Sequence, residues 1–138
     1  MKIAIAQINC MVGDVAGNMT KIIACASQAK AQGATLLITP ELSLCGYPPE
    51  DLLLREDFLR LCEQGLQQLC KELQGITVII GHPQQTPEGC FNALSVLEDG
   101  EITATYHKHV LPNHSVFDEK RYFTPGYQAL VFKHQLMR

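Results

Sequence analysis

Positive charge is in short supply in this sequence. Eleven lysines and arginines stand against fourteen aspartates and glutamates, for a formal charge of −3 and a pI near 5.9. No basic stripe is present to track a phosphate backbone, so a nucleic-acid partner is not expected. Long apolar runs are also missing, which argues against a membrane partner. The opening MKIAIAQIN has one lysine and a short apolar stretch broken by Gln7 and Asn9. It is too brief for a signal peptide and lacks a small-residue cleavage site, so a cytoplasmic location is expected. Gly13 and Gly17 have the spacing G-x-x-x-G, but no G-K-S/T follows, which excludes a phosphate loop. Six cysteines lie at 10, 25, 45, 62, 70 and 90, with no C-x-x-C pair and no metal-finger spacing. A disulfide scaffold would need a secretory setting. Cys25, Cys62 and Cys70 fall on or beside apolar helical stripes and read as small hydrophobes.

What is present suits one domain. Apolar residues make up 46% of the 138 and charged residues 18%, enough for a real core. KIAIAQIN, residues 2–9, is a nearly continuous apolar run that predicts a strand buried on both faces. Asn18 is a candidate helix cap, with Met19, Ile22, Ile23 and Ala26 at helical spacing behind it and Gly33 as the stop. TLLIT, residues 35–39, predicts a second buried strand ending on Pro40 and Glu41. Pro49-Glu50-Asp51 resemble the acidic first turn of a helix, whose apolar face continues through Phe58, Cys62, Leu66, Leu69, Cys70 and Leu73 to Gly75. ITVIIG, residues 76–81, predicts a third buried strand. The order β-α-β-α-β argues for a parallel sheet with helices packed against it.

The second part changes style. CFNALSVLE and EITATYHK flank Asp99-Gly100, a strong two-residue hairpin signal. In the second arm Ile102, Ala104, Tyr106 and Lys108 are expected on one face, and Thr103, Thr105 and His107 on the other. ALVF, residues 129–132, is expected to begin one more strand. Helices on one side leave the other sheet face bare, so a missing partner is expected there, a second copy or a C-terminal half.

Three charged residues stand out. Glu41 follows a buried strand, where open α/β sheets place their sites, and a partly buried carboxylate suits general-base work. It also reads as a turn or capping glutamate. Lys108 ends an apolar strand face and needs an anion, either a carboxylate or a developing oxyanion; a snorkelling lysine at a sheet edge is the plainer alternative. Glu119, in an acidic-basic run, would ordinarily pair at the surface with Lys120 or Arg121. His107 and His109 form H-x-H with His114 nearby, but nothing in the sequence completes a metal site.

Three stretches in order carry a resemblance: "IAIAQIN…VGDVAGN", "PELSLCGYPPEDLL" and "YHKHVLPNHSVFDEKRYFTPG". Together they resemble the nitrilase (carbon–nitrogen hydrolase) superfamily, and more narrowly the N-terminal glutaminase domains of glutamine-dependent NAD synthetases. The phrase FDEKRYF is characteristic of that branch. The implied fold is α/β: the N-terminal half of a nitrilase-like α-β-β-α sandwich, a mixed sheet with two main helices on one face. Residues 1–138 would be a partial carbon–nitrogen hydrolase domain, with the synthetase domain absent. The resemblance implies a Glu-Lys-Cys triad in which Glu41 is the general base and Lys108 stabilises the tetrahedral oxyanion. Glu119 would orient Lys108, and Tyr47 and Phe117 would line a glutamine pocket. His114 stands where the family usually has tyrosine, at a substrate-contacting position.

The family's nucleophile lies in an I-C-E-D-x-W motif that this sequence does not contain, and Cys45 belongs to the glutamate loop instead. The chain is therefore expected to be an N-terminal fragment without glutaminase activity of its own. Glutamine is the implied substrate, and ammonia the product delivered to deamido-NAD. No cofactor is expected in this chain; ATP and deamido-NAD are implied for the synthetase domain. The alternatives are a stand-alone nitrilase-like amidase and a non-catalytic, oligomerising half-domain.

Overall fold

The structure is a computed structural model and describes residues 1–134. Three short apolar runs become parallel strands: β1 (Ile3–Ile5), β2 (Leu36–Ile38) and β3 (Thr77–Thr86). The amphipathic stretches between them become α1 (Val15–Ala31) and α2 (Glu56–Glu72). β4 (Gly89–Glu98) and β5 (Glu101–His107) then return antiparallel, giving one sheet in the order β1-β2-β3-β4-β5. Asp99 and Gly100 both have positive φ, as a two-residue hairpin turn with right-handed strand twist requires.

Both helices lie on the same face. Ile22 and Ala26 of α1, Cys62 and Leu69 of α2, and Leu37, Val78, Ile80 and Leu97 of the sheet form one core, all nearly inaccessible to solvent. The apolar positions of α2 recur every three or four residues from Phe58 to Leu73, so burying them turns one stripe inward. Cys62 and Cys70 are part of that stripe, Cys25 packs against the core from a half-buried position, and all six thiols are free.

Several expectations need correcting. The first strand is three residues long, and its alternate side chains do not share a fate. Ala4 and Ala6 face the core, while Ile3 and Ile5 are 46% and 78% exposed. β1 is an edge strand, and among the described residues no helix covers its second face. The cap of α1 is Asp14, whose carboxylate accepts from the Gly17 N–H. Asn18 instead lies inside the helix, fully buried, and its amide ties Met11 N–H, Met11 C=O and Leu44 C=O together. The helix expected to run unbroken from residue 49 is interrupted. A 3-10 turn, Glu50–Leu54, buries Leu53, and Arg55 is extended before α2 begins.

The strand expected at residues 129–132 does not form. Those residues make no ladder, and Val131 is 94% exposed. An isolated apolar run gains nothing from an extended shape without a neighbour to pair with. The expected alternation along β5 holds for Ala104 and Tyr106 but fails at Ile102. A bulge pairs Val96 with Ala104 and Leu97 with Ile102, which carries Ile102 round to the helix-covered core. No described helix is long and apolar enough to cross a membrane.

Two polar groups inside this core make measurable demands. Asn18→Ala would strand buried main-chain groups, so it should cost about 2–4 kcal/mol in urea unfolding; wild-type stability would contradict the packing described here. His82, on β3, is 2% exposed, and burial pushes it down to about 4. It is neutral in the fold, whereas the unfolded chain takes up its proton near 6.5. The unfolded state thus binds more protons between these values, and stability falls as pH drops through that window, by up to about 3 kcal/mol. In a His82→Gln comparison that part of the slope should vanish; parallel stability–pH curves would show that His82 is not the cause.

Candidate active site

The site is built at the ends of strands. After β2 the chain makes a tight loop that carries Glu41. Thr39 and Ser43 hydroxyls bond each other at 2.6 Å, and Thr39 also donates to the Ile79 carbonyl of β3. Leu44 N–H donates to Gly81 C=O. Leu42 is wholly buried with φ of +50°, a conformation that packing on both sides must hold in place. The loop crosses β3 at Gly81. A Cβ there would lie 2.5 Å from Leu42 N and 2.7 Å from the Pro40 carbonyl, so only glycine admits the crossing.

Lys108 comes one residue after β5. Its N–H donates to Asn92 C=O of β4, and its own C=O accepts from Gly126 N–H, each at 2.9 Å. The main chain is therefore gripped on both sides. The side chain rises on the face away from the helices, where Nζ lies 2.6 Å from Glu41 Oε1 and 3.0 Å from Glu119 Oε2. Glu119 opens the 3-10 turn Glu119–Arg121 and is only 5% exposed. Its expected partners Lys120 and Arg121 do not pair with it. Instead Glu119 Oε1 accepts from the Tyr47 hydroxyl at 2.9 Å.

Glu41, Lys108, Glu119 and Tyr47 thus form one connected line. Burial works against the charged form of Lys108, but hydrogen bonds from its ammonium to Glu41 and Glu119, and their charges, outweigh it and hold Lys108 above the usual lysine range. Burial, then the bond to Glu119 and the nearby carboxylate charges, pushes Tyr47 up, so its proton stays in place as a donor.

Glu41 and Lys108 line a cleft of about 260 Å³ floored by Ile79, Gly81 and Leu94, with Asn92 and Tyr106 on its wall. Tyr47, Phe117 and Glu119 line a neighbouring hollow of about 500 Å³ together with Tyr122 and Phe123. His114 lines neither; it is exposed and meets Phe117 edge-on at 5.9 Å. The histidine pair diverges. His107 stacks on Phe91 and bonds Gln84, while His109 bonds the Gln128 carbonyl. Among the described residues no three metal-ligating side chains converge.

None of the six cysteines lines either hollow. Cys45 is buried, and a hydrogen bond with Cys62, then burial, pushes its thiol far up, the opposite of an attacking group.

Sequence reading missed two participants. Asn92 Nδ2 donates to Glu41 Oε1 at 2.6 Å. The available signal was a lone amide inside the apolar strand CFNALSV. Gly81 was legible only as the end of a strand, because its role depends on a loop 40 residues away.

A strand-end carboxylate beside a lysine under a mixed sheet is a recognisable arrangement, and comparison identifies its class. Residues 2–138 match the carbon–nitrogen hydrolase family, and the chain belongs to it. Within that class it is similar to glutamine-dependent NAD(+) synthetases. The one from Acinetobacter baylyi is 47% identical over 134 residues, which cover 96% of this chain and 25% of that protein. The one from Thermotoga maritima is 44% identical, over 96% of this chain and 23% of that protein. The solved synthetase of Acinetobacter baumannii, in complex with ADP, superposes with a TM-score of 0.91 at 43% identity, over 96% of this chain and 25% of that one. A Nesterenkonia sp. amidase superposes at 0.78 with 30% identity, over 93% and 49%. The chain spans about a quarter of the length of the curated synthetases it matches, and it matches their N-terminal portion.

Gly81→Ala tests how the loop is held. It should cost about 1–3 kcal/mol and move Glu41 out of reach of Lys108 in a crystal structure. An unshifted Glu41 at unchanged stability would refute the account of the crossing.

Proposed function

We propose that these residues form the base-and-cation half of a glutaminase site, which in a glutamine-dependent NAD synthetase hydrolyses glutamine and supplies ammonia for amidating deamido-NAD. The observation that supports this most is the Lys108 ammonium held between Glu41 and Glu119 at the mouth of a cleft. Amide hydrolysis through a thioester needs a base, an attacking thiol and a cation where negative charge develops.

In this reading Glu41 takes the proton from an attacking thiol as sulfur bonds to the amide carbon. Lys108 faces the oxygen that becomes anionic. The intermediate collapses by breaking the carbon–nitrogen bond, and the proton on Glu41 goes to the departing ammonia. Water then cleaves the thioester, with Glu41 again as base, and releases glutamate. Glu119, itself braced by Tyr47, keeps Lys108 aimed. Tyr47 and Phe117 wall the side where glutamine's amino-acid end would lie; His114, which lines neither hollow, would reach substrate only through a shift of its loop. The thiol comes from sequence other than these 138 residues, as do the groups that bind ATP and deamido-NAD. A further half-domain or a second copy covers the exposed sheet face, and the protein works in the cytoplasm.

The likeness to the Nesterenkonia amidase supports a second reading, a simple amidase. In one structure a mutant of such an amidase, from Nesterenkonia sp. AN1, shows covalent addition of the acetamide moiety of fluoroacetamide at the active-site cysteine.

The test is ammonia release. The 138-residue chain alone should release none from glutamine. A polypeptide that continues these residues through the attacking cysteine should turn over, and Glu41→Gln should lower its kcat by about 10²–10⁴. Turnover of acetamide but not glutamine would favour the amidase. Clear turnover by the 138 residues alone, lost in Glu41→Gln, would refute the need for an outside thiol.

A further inference from the structure

Glu41 is 45% exposed, and an ion pair at that exposure is a weak constraint. With Lys108 alone, its carboxylate could turn either oxygen to the ammonium. The structure shows a second restraint. Asn92 Nδ2 and Lys108 Nζ both reach the same atom, Oε1, each at 2.6 Å. Among the described residues none donates to Oε2.

Asn92 is suited to this restraint. It is 5% exposed and sits in β4, one of the two longest strands. Its carbonyl accepts the Lys108 N–H, so one residue fixes the Lys108 main chain and the Glu41 side chain together. An amide can donate to a carboxylate, whereas an aspartate of the same size would repel it.

We propose that Asn92 is a positioning residue that divides the work of Glu41 between its two oxygens. Oε1 is committed to Asn92 and Lys108, and Oε2 is left free to take the proton from the attacking thiol. This rests on the reading of the site as one that hydrolyses an amide, given above.

Two measurements test it. In the ¹⁵N-labelled 138-residue chain, one Asn92 side-chain amide proton should be shifted downfield and protected from exchange. The signal should be lost in Glu41→Ala and kept in Lys108→Met. An Asn92 amide indifferent to Glu41→Ala would overturn the proposal, whatever the chemistry of the site. In the longer polypeptide that carries the thiol, Asn92→Ala should lower kcat about ten- to a hundredfold, the scale of one hydrogen bond to a charged group, with KM within about twofold. Asn92→Asp, equal in size, should lose at least as much. A loss confined to KM, or full activity in Asn92→Asp, would overturn the proposal. Absent turnover of both glutamine and acetamide with Asn92 intact would overturn the amide-hydrolysis reading and the division of tasks with it; the amide signal separates the two failures, because it reports the contact whether or not the site turns over.

Discussion

The Lys108 ammonium holds three distant parts of the chain in one place. Glu119 is almost wholly buried, and a buried carboxylate is tolerated only when its charge is answered. Lys108 answers it on one side and the Tyr47 hydroxyl on the other. Remove the ammonium and two carboxylates face each other across the gap it leaves. The end of β5 and the turn at Glu119 therefore depend on this cation for their mutual arrangement, while the loop after β2 is tied to β4 by Asn92 as well. The same cation is surrounded by more negative than positive charge, which keeps it protonated, and its exposure toward the cleft leaves it able to meet further negative charge there.

The sheet explains why that cation can be reached at all. β2 ends beside β3, and β4 and β5 turn back antiparallel, so the end of β2 and the end of β5 lie near each other over the middle of β3 and β4. The two connections meet on the face without helices. Gly81 supplies the missing volume where the Glu41 loop crosses β3, and Asn92 supplies the hydrogen bond that spans the remaining gap. The helix face does different work. There Val78, Ile80 and Leu97 pack against α1 and α2, and even its polar member His82 is enclosed, bonded to Ser95 and to the Pro83 carbonyl. One face of the sheet holds the core and the other carries the charged cluster.

Much of this was legible from residue order. Buried runs alternating with amphipathic stretches predicted the parallel strands and their helices, and Asp99-Gly100 marked the hairpin. Glu41 and Lys108 stood out because each placed a charge where an apolar run ended. The failures share a physical cause. Periodicity reports what one segment prefers, but burial depends on what lies opposite. Ile3 and Ile5 match a fully buried strand and are exposed because, among the described residues, no layer covers them. Ile102 changes face because a bulge inserts one residue that no sequence pattern marks. Arg55 breaks a helix whose apolar stripe runs on either side of it. Glu119 looked like a surface partner of its chain neighbours, yet a tyrosine 72 residues away and a lysine 11 residues away claim it.

The distribution of thiols follows the same division. Cys62 and Cys70 are on the core face; burial pushes the Cys70 thiol up, and burial pushes Cys90 up to about 11. Cys45 is turned from the cleft into the core, against Cys62. A thiol that is to lose its proton needs a base within reach and a cation or dipole to stabilise the anion. Glu41 and Lys108 offer both, and they offer them on the opposite side of the sheet from the buried thiols of α2. The carboxylate and the ammonium thus face the side of the sheet that no described helix covers, and the buried thiols face the other.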